Sequence, residues 1–376
     1  MKIGIDARMY SSGFTGIGRY VFELVRHLAK LDDANEYVCF LNPVEFEFFK
    51  PLKDNFRAVK VDAPHYSFAE QTKFLSALKH EHLDLMHFTH FNAPLLYRQK
   101  SVVTIHDLTL SFFPGKKMTK FIHRFAYNLV LRKAVRHASR LIAVSENTKK
   151  DLRDLLQTPA EKIEVIRNGV GKEFKPGAIT DLSRQQLRKK WDIRNGYLLY
   201  TGVWRDHKNI VGLIDAVGEL TTKNNFTGQL VITGRPDPIY APEVYAAVEK
   251  NHLENTVVFT GLVSDEDLLQ LYQNARVFVL PSFYEGFGLP PLEAMACGIP
   301  VAVSNVSSIP EVCGEGNAVF FDPRNRSEIA TSLDRTWNDE ALRQNLRERG
   351  LRRAAEFSWQ RMAEETLAVY RGILRT

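Results

Sequence analysis

The sequence predicts an α/β protein built from two Rossmann-like domains, each a parallel sheet wound with helices, and three observations carry that reading. Short β-branched apolar runs alternate with helical patterns along the whole chain, which is the mark of repeated βαβ units. The series breaks once, in a Gly- and Pro-bearing stretch near the middle, and a length of 376 residues suits two domains, each able to bury its own core, better than one.

The first series of apolar runs falls at 2–7, 37–41, 57–61, 83–88, 102–105, 141–144 and 163–166. A polar helical stretch at 180–191 then precedes a second series at 197–201, 230–233, 257–260, 277–280, 301–304 and 318–321. Between the two lies Asn168-Gly169-Val170-Gly171, followed by Pro176-Gly177, where glycine and proline interrupt the periodicity and supply turn conformations. The linker is placed there. A last helical pattern from Ser358 to Tyr370 carries Trp359, Met362, Leu367 and Tyr370 on one apolar face. The expected domains are therefore 1–175 and 176–356, with 357–376 a helix that packs back on the first domain.

Composition narrows the class. An apolar share of 44% with 25% charged residues excludes a disordered chain, and no apolar run reaches the length of a membrane-spanning helix. Asp6 and Arg8 interrupt the apolar start that a secretory signal needs, so the chain reads as cytoplasmic. Cys39, Cys297 and Cys313 are far apart and odd in number, which fits neither a disulfide framework nor a zinc site. A net charge of +6 is mild, compatible with anionic small substrates or a membrane surface.

In open α/β sheets the loops at the carboxyl ends of strands build the ligand site, and the unusual loops of this chain fall there. After the first strand, Gly13, Gly16, Gly18 and Arg19 form a Gly-rich turn leading into a helix from about Tyr20, whose free amides favour an anion or a close-packed sugar. A tight strand-to-helix turn explains the same residues. His106-Asp107 ends the strand at 102–105; its imidazole can bond a sugar hydroxyl, or Asp107 can simply cap a turn while backbone satisfies His106.

The most informative segment runs from Pro281 to Glu293. Gly286, Phe287 and Gly288 let the backbone approach a ligand, Pro290 and Pro291 start a helix, and amides near Gly288 and Leu289 then face a diphosphate. Glu285 can accept hydrogen bonds from hexose hydroxyls and Glu293, one turn into the helix, from ribose hydroxyls. After the first strand of the second domain, Gly202, Arg205 and Lys208 offer a close turn and two cations that can neutralise a leaving diphosphate. The string Asp265-Glu266-Asp267 follows Ser264 and precedes a helical pattern, so it reads as a capped acidic first turn and not as a metal site.

With these residues in view, the chain resembles the retaining family 4 glycosyltransferases of the GT-B fold, especially the bacterial mannosyltransferase-like members. The resemblance spans essentially the whole chain. It rests on Glu285 and Glu293 with seven residues between them, Gly16 to Tyr20, Thr104-Ile105-His106-Asp107-Leu108, Asn168-Gly169-Val170 and Phe357-Ser358-Trp359. It implies that Lys208 binds the donor phosphates, Glu285 the transferred sugar and Glu293 the ribose. Gly286, Phe287 and Gly288 are implied to give backbone contacts and Gly16 to lie near the diphosphate, with His106 at the reaction centre and Val263 by the base. Relatives place an arginine directly after the glycine equivalent to Gly202 or directly before the lysine equivalent to Lys208. Here Val203 and His207 stand there, and Arg205 is the candidate to carry that charge.

By the same resemblance the activity is hexosyl transfer, mannose from GDP-mannose or a UDP-hexose, to a lipid-linked oligosaccharide or polysaccharide intermediate, with no metal and no cofactor beyond the sugar nucleotide. Gly13, Arg19 and Asp107 are the acceptor-side candidates. A sugar-nucleotide epimerase of the same shape and a non-catalytic sugar-nucleotide-binding scaffold are the other readings. From Lys116 to Arg140 the chain carries eight basic residues and no acidic one, with Phe121, Phe125 and Tyr127 among them. That pattern fits docking on an anionic membrane face, or a solvated face whose aromatics belong to the core. No nucleic-acid partner is expected.

Overall fold

The computed structural model describes residues 1–11, 16–115, 121–177, 180–194, 196–224 and 226–375, the side chains of 121, 122 and 224 excepted. The chain divides into two units, one made of Met1–Leu108, Lys117–Gly169 and Ser358–Thr376, the other of Thr109–Lys116 and Val170–Phe357. Every run expected to be a strand is one, with ends shifted by a residue or two.

In the first unit β1 (Lys2–Asp6), β2 (Glu36–Leu41), β3 (Phe56–Lys60), β4 (Leu85–Phe88), β5 (Ser101–Ile105), β6 (Arg140–Ala143) and β7 (Ile163–Val165) form a seven-stranded sheet ordered β3-β2-β1-β4-β5-β6-β7, parallel throughout. The order reverses between β1 and β4. In the second unit β8 (Tyr197–Thr201), β9 (Gln229–Thr233), β10 (Val257–Gly261), β11 (Val277–Leu280), β12 (Val301–Ser304) and β13 (Val319–Phe321) give β10-β9-β8-β11-β12-β13, again parallel, reversing between β8 and β11. Such reversals open a crevice outside the carboxyl ends of the two strands involved, which is where ligands of open sheets bind. The central strands are buried along their length because helices cover both faces.

Two helices depart from expectation. The first runs Gly16–Leu31, so Gly16, Ile17, Gly18 and Arg19 form its opening turn instead of a loop before it. The last extends over Trp359–Arg375, burying Trp359, Met362, Leu367, Tyr370 and Ile373 in the first unit, where it packs along the Gly16–Leu31 helix.

The passage between units falls inside the expected linker, at Gly169–Val170, and the return is at Phe357–Ser358. A Cβ on Gly169 would sit 2.1 Å from the Trp359 backbone nitrogen, so only glycine fits there. Residues 109–115 and 170–175, expected in the first domain, belong instead to the second unit. Phe112 leans on Tyr284 (5.0 Å between rings), Phe113 stacks on Phe283 (6.2 Å) and Phe174 meets Tyr272 edge-on (5.7 Å). Aromatic burial, which no local periodicity announces, moves these segments.

Candidate active site

The crevice of the second unit is built by the loops after β8 and β11, the two strands at its reversal. β8 is followed at once by Gly202, with φ at +150°, and β9 by Gly234, with φ at +122°; a Cβ on Gly234 would lie 2.0 Å from the Gly202 carbonyl oxygen, so the two turns pack backbone on backbone. The chain then makes a 3-10 turn, Asp206–Lys208, closed by Asn209 in the left-handed region. Phe283 N–H donates to the His207 carbonyl at 2.7 Å and stitches this loop to the one after β11.

That stitch brings the two chemically important side chains together. Lys208 Nζ lies 2.6 Å from Glu285 Oε1, and Ser282 Oγ donates to the same oxygen at 2.6 Å. Both charged side chains are largely covered, 13% and 11% exposed, so the pair sits in a wall of the crevice where its attraction is weakly screened. Glu285 is fixed through its backbone as well: its N–H donates to Ser307 Oγ at 2.9 Å, and Ser308 Oγ lies 2.9 Å from the Glu285 carbonyl and 2.8 Å from that of Phe287. Ser307 holds this position at a φ of +53°, a conformation rare for a non-glycine residue. Ser282, Ser307 and Ser308 were not among the sequence candidates. Their signal is a Ser-Ser-Ile-Pro string after β12, ordinary until the fold sets it beside Glu285.

Gly286, Phe287 and Gly288 are buried, and the Phe287 ring packs on Phe357, so this stretch can offer a ligand only backbone. Gly288 takes a left-handed φ of +103° as N-cap of the helix Leu289–Ala296. The expectation of a bank of helix amides narrows here, because Pro290 and Pro291 occupy the second and third helical positions and have no N–H. The N–H groups of Gly288 and Leu289 are left as the donors. Glu293, in the second turn of the helix, takes a hydrogen bond from Tyr272 OH at 2.9 Å, and that hydroxyl also lies 3.0 Å from Thr201 Oγ1. Burial and then Glu293 push the Tyr272 phenol well up, so it stays a neutral donor and aims the carboxylate.

Of the remaining second-unit candidates, Arg205 is exposed beside Lys208 and makes no ion pair among the described residues. Val203, where the resemblance leads one to expect arginine, is exposed, and the His207 ring lies 6.3 Å from that of Phe113. Val263 is half-buried just ahead of Ser264, whose Oγ caps the helix Asp265–Asn274 by accepting from Asp267 N–H at 3.1 Å. Asp267 also pairs with Lys190 at 2.6 Å, so the acidic string is a helix start committed to its own neighbours.

In the first unit Gly13 lies outside the described residues, and Gly16 is exposed at the helix start. Arg19 pairs with buried Glu23 at 3.4 Å along the same helix. His106 is buried after β5. Its Nε2 lies 2.8 Å from the Thr89 carbonyl and so carries the proton, leaving Nδ1 as the acceptor of a neutral ring. Burial holds its pKa down, against the pull of that bond and of half-buried Asp107. Sequence reading missed what supports this region. Arg8 binds Asp6 through Nε and Nη2 at 2.8 and 2.7 Å, Glu70 at 2.9 Å and the Ala63 carbonyl at 2.9 Å, all buried. Next to it His87 bridges Tyr370 OH at 2.5 Å and Thr104 Oγ1 at 2.8 Å.

Two parallel-sheet units with reversed strand order, one of them pairing a lysine and a glutamate beside a glycine-capped helix start, define the class of two-domain glycosyltransferases. Residues 14–174 match Glycosyltransferase Family 4, and residues 183–353 match Glycosyl transferases group 1. The O-antigen chain mannosyltransferase B of Escherichia coli is 30% identical over 99% of this chain and 100% of its own. Among solved structures, sucrose-phosphate synthase from Thermosynechococcus elongatus superposes with a TM-score of 0.82 at 21% identity, covering 100% of this chain and 99% of its own. Anabaena HepE, solved with UDP and glucose, gives 0.76 at 20% identity, covering 99% of this chain and 100% of its own. The chain belongs to the family 4 glycosyltransferases and has their GT-B fold.

Proposed function

We propose that the chain transfers a hexose from a nucleoside diphosphate sugar to a glycan with retention at the anomeric carbon and without a divalent metal. The hexose is mannose from GDP-mannose, and the acceptor is a lipid-linked oligosaccharide or polysaccharide intermediate such as a lipopolysaccharide O-antigen. The name of the Escherichia coli relative supports the sugar and the acceptor class.

The observation that carries the chemistry is the Lys208–Glu285 pair. When the bond between anomeric carbon and phosphate oxygen breaks, negative charge grows on the diphosphate. The Glu285-paired Lys208, the exposed Arg205 and the amides of Gly288 and Leu289 stabilise it. The acceptor oxygen bonds to the anomeric carbon on the face the phosphate leaves, and the phosphate takes the acceptor proton, so no protein nucleophile is required. Glu285, relieved of Lys208, accepts hydrogen bonds from the hexose, and Glu293 accepts from the ribose. Backbone at Gly202 and Val263 borders the nucleotide. In the first unit neutral His106 offers Nδ1 to a hydroxyl of the transferred sugar, with Gly16 and Asp107 beside the same strand ends.

The helix Phe121–His137 exposes Arg124, Arg132 and Arg136 together with Phe125 and Leu129, a combination that supports reversible attachment to an anionic membrane face on the cytoplasmic side. No helix among the described residues is long and apolar enough to cross a membrane. Flotation with anionic liposomes tests the attachment; equal soluble recovery of the parent protein and of a variant with these arginines neutralised contradicts it.

Calorimetry with a panel of GDP- and UDP-sugars tests the donor, and tighter binding of a UDP-hexose removes the mannose assignment. Transfer assays in chelator test the metal. Full activity supports the proposal, whereas abolition with rescue by magnesium or manganese opposes it. Release of a free epimer without acceptor would point to epimerisation instead.

A further inference from the structure

The crevice of the first unit carries a feature that donor chemistry does not use. At the reversal between β1 and β4, the loops after β1, β3, β4 and β5 converge, and the loop after β3 presents two aromatic rings outward. Tyr66 is 62% exposed and Phe68 82%, an unusual display for adjacent large side chains in a domain with a well-filled core.

The backbone works to keep them there. Tyr66 has a φ of +62°, which a bulky residue adopts only when its surroundings impose it. Its N–H donates to Glu70 Oε2 at 3.3 Å, and Ser67 closes the turn by donating to the Pro64 carbonyl at 2.6 Å. Glu70 opens a π-helical segment, Glu70–Phe74, and its other oxygen meets buried Arg8, which Asp6 holds from β1. A buried ion triad and a π-turn, a device frequent at functional sites, thus fix a strained aromatic turn on a sheet's carboxyl edge.

The Tyr66 ring is linked to His106 through His90. From His106 to His90 the ring centres are 6.4 Å apart, from His90 to Tyr66 6.5 Å, and from His90 to His65 6.2 Å. Burial keeps His65 and His90 neutral, with pKa values lowered to about 4 and about 3. Beneath this edge the His90 ring and the Asn92 side chain are buried facing each other, with His90 Nδ1 and Asn92 Oδ1 making no well-formed hydrogen bond. Uncharged donors and acceptors beside exposed aromatic faces match a neutral polyol: the C–H face of a pyranose stacks on the ring, and a hydroxyl, both donor and acceptor, suits neutral imidazole and amide groups.

We propose that Tyr66 and Phe68 form a stacking platform for a pyranose of the acceptor glycan, the sugar behind the one that carries the reacting hydroxyl, with His65 and His90 at its rim. This rests on the glycosyl-transfer reading above, since the distance to His106 sets which sugar of the acceptor the platform meets. It makes the enzyme a reader of an extended glycan, not of a single terminal sugar alone.

The test uses the full chain without donor and probes it with mannose and short manno-oligosaccharides by saturation-transfer NMR, then measures transfer kinetics. Tyr66→Ala and Phe68→Ala are each expected to weaken oligosaccharide binding about three- to tenfold and raise the acceptor KM by a similar factor, with donor binding unchanged. Tyr66→Phe retains binding, because the ring face does the stacking. Oligosaccharide binding unaltered in the double alanine variant, or no oligosaccharide binding by the parent protein, overturns the platform. Loss of liposome flotation with glycan binding intact overturns it too and assigns the rings to a lipid surface. A parent protein that binds oligosaccharides but no nucleotide sugar instead defeats the transfer reading and leaves the platform standing, so the two failures are distinguishable.

Discussion

Nζ of Lys208 lies 2.6 Å from Oε1 of Glu285, at a point where Ser282 Oγ reaches the same oxygen. On the proposed reading, the cation that meets the donor diphosphate is thus already held in place by a carboxylate. In that proposal a phosphate arriving at Lys208 would replace one anionic partner with another, so the lysine would not be desolvated afresh, and Glu285 would be freed for neutral hydroxyls as the donor is seated.

Replacing either member is expected to strike transfer harder than folding. Lys208→Ala should lower kcat/KM by about 10²–10³, in the range of a lost oxyanion-type donor. Glu285→Ala should do likewise, whereas Glu285→Gln, which still accepts from hydroxyls, should lose less. Steady-state kinetics with a thermal unfolding control decides this, and normal transfer by both alanine variants would show that the site lies elsewhere.

Ser308 holds two carbonyls of the Glu285–Gly286–Phe287 run through one hydroxyl. Ser308→Ala is expected to cost about 1–2 kcal/mol in urea unfolding, because the buried acceptors lose their partner. A rise in donor Kd by calorimetry should accompany it, since the backbone the ligand meets is loosened. A stability loss with donor affinity unchanged would mean that the serine supports the fold only.

Gly169 is confined by backbone, its absent Cβ 2.1 Å from Trp359 N and 2.5 Å from Ser358 C. Neither atom is the end of a flexible side chain, so Gly169→Ala has to displace the start of the C-terminal helix. We expect a loss of about 1–3 kcal/mol, as for overpacked cores. Denaturant titration followed by the fluorescence of Trp359 in a background with the other tryptophans replaced measures it; an unchanged midpoint refutes the confinement.

The strands were legible because parallel sheets covered on both faces write continuous β-branched runs, and the glycine-capped helix start after β11 because Gly286, Gly288, Pro290 and Pro291 are constrained residue types in a short space. Pairings across long separations were not legible. Nothing local in Ser307 or Ser308 points to Glu285, and Arg8 reads in sequence only as a charge in an apolar start, although the fold wraps four segments around it. The segment 109–115 was misassigned for the same reason. Phe112 and Phe113 look like any aromatic pair until Tyr284 and Phe283 are set opposite them.

The last prediction concerns acid. His65, His87, His90 and His106 all lie in the first unit, and burial is the first cause of each lowered pKa: to about 4 for His65, to about 3 for His87 and His90, and downward for His106. A base whose folded pKa lies below its unfolded value near 6.5 is favoured neutral by the fold. Its contribution is complete above pH 6.5 and is lost as the pH falls through that value, where the unfolded chain binds protons the folded one refuses. Each such histidine adds at most about 1.4 kcal/mol per pH unit between its two pKa values. Asp6, held below the usual carboxylate range because Arg8 outweighs its burial, adds a further loss only below about pH 4. Urea midpoints should therefore drop steeply from pH 7 to pH 5, and hydrogen exchange should show the amides of β1 to β7 losing protection before those of β8 to β13. His87→Gln should flatten the slope by one proton, at the cost of the bonds to Tyr370 and Thr104. Equal midpoints at pH 7 and pH 5 would mean that these imidazoles reach water in the folded chain.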